Sequence, residues 1–167
     1  MASSNIDYPF NTWCAFAWSS LLLIWKNIVL LVLLAYFRSK SKRIKIPEDA
    51  RIFRKGTQPV TVTTTAELQE EDWSTAGRIT RVLANEVEYV PYFLVLALAF
   101  CVFIPDSTTR LIVYGCIFVF ARYLHNISYI LGNTYGRLIG FALSFLLLGA
   151  MTIDLTQYLT KAVVDRI

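Results

Sequence analysis

Histidine and cysteine are nearly missing from this chain: His125 stands alone, and Cys14, Cys101 and Cys116 each sit inside an apolar run. No second histidine or cysteine shares a helical face with His125, so no metal centre has a ligand set. Cysteines held in apolar segments give no secreted-type disulfide framework and read as packing residues. Charge is also scarce. Asp, Glu, Lys and Arg make up 17% of the residues, against about 25% in an ordinary soluble domain. No internal repeat and no low-complexity tract is present.

What fills the chain is apolar surface. Hydrophobic residues reach 56% of the 167 positions, above the roughly 45–50% of soluble domains. Four long apolar runs carry the excess, at about 12–36, 82–104, 111–131 and 138–159, each near the ~20 residues that a bilayer crossing needs. The fold class expected is an all-α integral membrane protein, a single domain built as a four-transmembrane-helix bundle. The first run is too long for the core of a cleaved signal and lacks a basic start, with Asp7 the only charge before Lys26, so it is expected to be a retained span.

The net charge of +4 is local in origin. Residues 38–55 hold eight Lys and Arg against Glu48 and Asp49, a balance of +6 that leaves −2 for the rest. A basic stretch directly after a span is explained by the bias of Lys and Arg toward the cytoplasmic side, with no nucleic acid involved. That places loop 37–77 in the cytoplasm, and "LGNTYGR" (131–137) with it. The second half of the loop, "TQPVTVTTTAELQEEDWSTAG", is rich in threonine and acids, and its β-branched runs oppose a continuous helix. At most one or two helical turns are expected, at 65–73.

The spans themselves carry polar faces. Arg78, Arg81, Asn85 and Glu88 recur at intervals of 3, 4 and 3 residues, which gathers them on one side of a helix. Tyr92 continues the stripe, while Glu86 falls at the other margin. Arg122, His125 and Tyr129 repeat the pattern in the third span, and Arg38 and Arg137 mark the ends of the first and fourth at the same cytoplasmic side. Ionisable groups at membrane depth face a protein interior or a polar cavity. Internal Arg–Glu pairing is the bland reading, but five arginines outnumber the nearby acids. The excess favours an anionic ligand, and arginine forks suit carboxylates. A buried glutamate would hold an ammonium group and Asn85 could donate or accept, so a small zwitterion with extra carboxylates fits.

Four segments then carry a family resemblance: "YFR" (36–38), "PED" (47–49), "RVLANEVE" (81–88) and "ARYLHNISY" (121–129). Together they resemble the membrane-associated proteins in eicosanoid and glutathione metabolism, the MAPEG family, most closely its microsomal glutathione transferase branch. Where the family writes Arg-x-His-x-Asn-Asp-x-Glu, this chain has Leu83 at the His place and Glu86 at the Asp place. Ala50 follows "PED", and Arg137 comes one residue early after Tyr129.

The resemblance implies a homotrimer of four-helix protomers that binds glutathione as co-substrate. Arg81, Asn85, Glu88, Arg122, His125 and Tyr129 would inherit the glutathione contacts. Arg38 would support them, and Arg78 is a further candidate. Arg137 would lie near the thiol as the catalytic cation, with Tyr129 as a second donor. The activity expected is transfer of glutathione to lipophilic electrophiles and glutathione-dependent reduction of lipid hydroperoxides, in the endoplasmic reticulum or mitochondrial outer membrane. The alternatives are a prostaglandin E synthase-like isomerase and a non-catalytic glutathione- or lipid-binding membrane protein.

Overall fold

The computed structural model describes residues 10–40, 74–104 and 107–165, and all regular structure among them is helical. Four helices follow in order: α1 (Phe10–Lys40), α2 (Thr75–Phe103), α3 (Thr108–Leu131) and α4 (Thr134–Val164). All four are long and apolar enough to cross a membrane. Each helix runs past the apolar run that announces it, because polar residues at the ends, such as Thr75 to Arg81 of α2, extend the helix without adding hydropathy. The basic part of loop 37–77 beyond Lys40, and the turns considered at 65–73, lie outside the described residues.

The ends have local causes. The side chain of Ser74 accepts a hydrogen bond from the Gly77 amide and that of Asn133 accepts one from Gly136, capping α2 and α4. Between α3 and α4 the chain turns at Gly132, whose φ of 76° ends α3 in the left-handed conformation that glycine adopts without a Cβ penalty. Pro91 lies inside α2 and removes one backbone donor there.

Each helix buries one narrow stripe. On α1 it is Thr12, Ser19, Leu23, Lys26, Leu30 and Leu34; on α4 it is Gly140, Ser144, Leu147 and Met151. The intervals of three and four residues reproduce the helical repeat. A main cluster around Leu23, Phe93, Phe100, Phe118 and Met151 fills one part of the bundle, with Phe93 and Phe118 stacked at a centroid distance of 4.2 Å. A smaller cluster of Leu30, Leu34, Ile79 and Val82 fills another. Outward faces carry Trp18, Leu21, Trp25, Val95 and Phe145, which hydrocarbon accepts as readily as a core does.

The helices alternate in direction. At one end the Thr12 and Thr108 hydroxyls share a hydrogen bond of 2.5 Å, joining the starts of α1 and α3. At the opposite end Arg78, in the first turn of α2, donates to the Ile130 carbonyl near the end of α3 at 3.2 Å. The same end holds the C-terminus of α1, with Arg38 and Lys40 in its last turn.

Candidate functional site

A cavity of about 490 Å3 opens at the end of the bundle where α2 and α4 begin and α3 finishes. Its wall includes Arg81, Asn85 and Glu88 from α2, His125 and Tyr129 from α3, and Arg137, Leu138 and Phe141 from α4. Five residues singled out by helical spacing, and Arg137, singled out by its place at the opening of the fourth span, therefore line one cavity, contributed by three helices. The stripe on α2 does not turn into the bundle, however. Its buried positions include Ile79, Val82, Glu86, Val90 and Phe93, while Arg81 and Glu88 are exposed within the single chain. The polar stripe looks into the open cavity, and Glu86, expected at the margin, is the acid that is buried.

Two back-side contacts fix what the wall offers. His125 Nδ1 lies 3.0 Å from the Arg137 backbone carbonyl; a carbonyl only accepts, so Nδ1 carries the proton and the neutral ring keeps Nε2 as an acceptor. Nε2 is buried and has no hydrogen-bond partner among the described residues. Asn85 receives a hydrogen bond on Oδ1 from Arg122 Nη2 at 2.7 Å, which reserves its amide N–H groups for donation. Beside them, the Arg137 guanidinium carbon sits 5.1 Å from the centroid of the Tyr129 ring, a cation–π arrangement. The cavity thus combines fixed cationic donors, one carboxylate and one neutral acceptor.

Arg122 is placed behind this wall. It is fully buried and donates to Glu86 Oε1 through Nε at 2.8 Å and through Nη2 at 2.5 Å. Lys26 of α1 is bonded to the other carboxylate oxygen, Glu86 Oε2. Tyr89 covers the guanidinium, whose carbon lies 5.0 Å from the ring centroid. For Arg122 the internal-pairing reading holds. Arg78 is likewise engaged elsewhere, packed across Gly132 to the Ile130 carbonyl, where a cation complements the C-terminal end of α3. Arg38 lies at the end of α1, and neither it nor Arg78 lines the cavity.

Spacing of charges alone missed three positions. Lys26 sits one residue from exposed Trp25 in the first span, and the signal was that it is the single charge in the apolar run 12–36. Gly136 and Gly140 form a small-xxx-small pair on α4. A Cβ built on Gly140 would stand 2.7 Å from the Ala121 carbonyl oxygen and 2.7 Å from the His125 nitrogen, so glycine lets α4 approach α3 closely enough for the Arg137 carbonyl to meet His125. The substituted position Leu83 packs with the Leu30 and Leu34 cluster and is not part of the cavity wall. Glu86 supplies a carboxylate where the resemblance expects Asp.

A family model described as the MAPEG family matches residues 16–156. No curated protein matches the chain.

Proposed function

The chain belongs to the MAPEG family, and on that premise we propose that it is a membrane-bound glutathione transferase acting on lipophilic electrophiles, with peroxidase activity toward lipid hydroperoxides. Members of the family use glutathione in transferase- and isomerase-type reactions at membranes. The observation that supports this reading best is the convergence of Arg81, Asn85, Glu88, His125, Tyr129 and Arg137 on one cavity.

The wall fits glutathione group by group. Arg81 and the Asn85 amide serve its carboxylates, Glu88 serves the α-ammonium, and the acceptor Nε2 of His125 takes a peptide N–H. The buried Nε2 of His125, which has no hydrogen-bond partner among the described residues, gains most from a ligand donor, because an unmet buried acceptor is costly. A free thiol titrates near 8.5 and is a few per cent ionised at neutral pH. The Arg137 guanidinium, held against Tyr129, favours the thiolate, since an opposite charge at close range stabilises the anion. The sulfur then forms a bond to the electrophilic carbon, and the leaving group departs with its electron pair. Leu138 and Phe141 give the same cavity an apolar side, suited to a substrate arriving from the bilayer. Leu138 also disfavours the prostaglandin E synthase-like reading, in which the residue after the arginine is polar. A homotrimer would bring a neighbouring subunit against the open side, where Arg81, Glu88 and Arg137 are exposed in the single chain.

The test is titration calorimetry of the purified protein in detergent with glutathione, followed by an aryl halide conjugation assay. Saturable binding with conjugation supports the transferase. Binding without conjugation leaves the non-catalytic reading, and no binding removes glutathione from the account.

A further inference from the structure

Behind the cavity wall lies a group of charges that does not balance among the described residues. Lys26, Glu86 and Arg122 come from α1, α2 and α3 and retain 4%, 1% and 0% of their exposure. Both oxygens of the Glu86 carboxylate are occupied, one by Lys26 and the other by Arg122. Two cations thus share one anion, and Arg122 Nη1 has no hydrogen-bond partner among the described residues. The other acid described at this end of the bundle, Glu88, faces the cavity. Asp154 belongs to the opposite end, where it is bonded to Arg110 at 3.0 Å and Tyr114 at 3.1 Å.

A surplus charge at membrane depth is costly and persists where something meets it. Here the surplus is one hydrogen bond from the cavity, through Arg122 Nη2 to Asn85 Oδ1. We propose that Lys26, by giving this buried cluster one positive charge more than Glu86 can neutralise, tunes the cavity for ligands of net negative charge without touching them. Lys26 is therefore a specificity residue acting through charge alone. The inference rests on the glutathione reading for its ligand. Arg122 joins the charge to the wall and fixes the donor face of Asn85, whereas removing Lys26 leaves a matched Glu86–Arg122 pair.

The sign of the effect distinguishes this role from a structural one. If Lys26 were only a tie between helices, its loss would weaken the bundle and lower affinity for every ligand alike. If it supplies surplus charge, the unliganded protein is no less stable without it, and only the preference for anions falls. At an effective dielectric of about 20, a unit charge some 10 Å away changes the binding of a singly charged ligand roughly tenfold.

The experiment uses the full chain in detergent, with Lys26→Gln, which retains a donor for Glu86. Two quantities are read: the thermal midpoint without ligand, and the ratio of affinities for glutathione and its diethyl ester, in which both carboxylates are masked. Glutathione carries a net −1 and the diester, which keeps its ammonium, +1, so the two differ by two charges. The expected result is an unchanged or raised midpoint with a ratio reduced on the order of a hundredfold, about tenfold for each unit of charge. A lowered midpoint, or an unchanged ratio, overturns the proposal. Should Lys26→Gln fail to fold, Lys26→Met is read in the same way, and failure of both to fold counts against it. If the wild-type protein does not bind glutathione at all, the proposed function falls and this inference falls with it, whereas glutathione binding with an unchanged ratio overturns the inference alone.

Discussion

The imidazole of His125 and the backbone of Arg137 are joined by a 3.0 Å hydrogen bond between Nδ1 and the carbonyl oxygen. That single contact ties α3 to α4 at the mouth of the cavity, sets the tautomer of the imidazole, and fixes the backbone from which the Arg137 guanidinium extends.

Gly140→Ala disturbs this relationship from outside the cavity. The new methyl would meet backbone atoms of Ala121 and His125 at 2.7 Å, and backbone cannot step aside as a side chain can. Thermal melting is expected to show a loss of about 1–3 kcal/mol, and conjugation to fall with it as Arg137 moves away from Tyr129.

Arg137→Ala is expected to retain glutathione binding while turnover drops on the order of 10²-fold, the scale for removing one preorganised charge-stabilising donor. The ultraviolet absorbance of the bound thiolate supplies the check. In the wild type the thiol should ionise below its free value of about 8.5, because the cation favours the anion; in the variant the midpoint should move up toward that value. Equal midpoints would clear Arg137 of this role.

Glu86→Ala leaves Lys26 and Arg122 buried against each other without their shared carboxylate. Removing one partner of a buried pair costs about 3–5 kcal/mol, so this variant should be far less stable in detergent melting than Lys26→Gln. Similar losses for the two would contradict the charge count.

Gly132→Ala forces a side chain into a backbone of φ 76° and brings its Cβ to 2.9 Å from Arg78 Nη1. A cost of about 1 kcal/mol is expected from the conformation. Arg78→Ala in the same background tells whether the guanidinium contact adds to it: a smaller loss in the double variant means that it does.

The sequence by itself determined the four spans, because apolar runs of bilayer length have no other stable home, and it determined which face of α2 and α3 carries polar groups, because the helical repeat is fixed. It also determined that Arg81, Asn85, Glu88, His125, Tyr129 and Arg137 could share one site. Tertiary structure decided what the arginines do. Spacing along one helix cannot say which neighbour a side chain meets, so Arg122 and Arg78 read like Arg81 until packing set one on Glu86 and the other on the end of α3. Lys26 found its partner 60 residues away, and the close approach of α3 to α4 depends on two glycines whose meaning appears only when the helices touch.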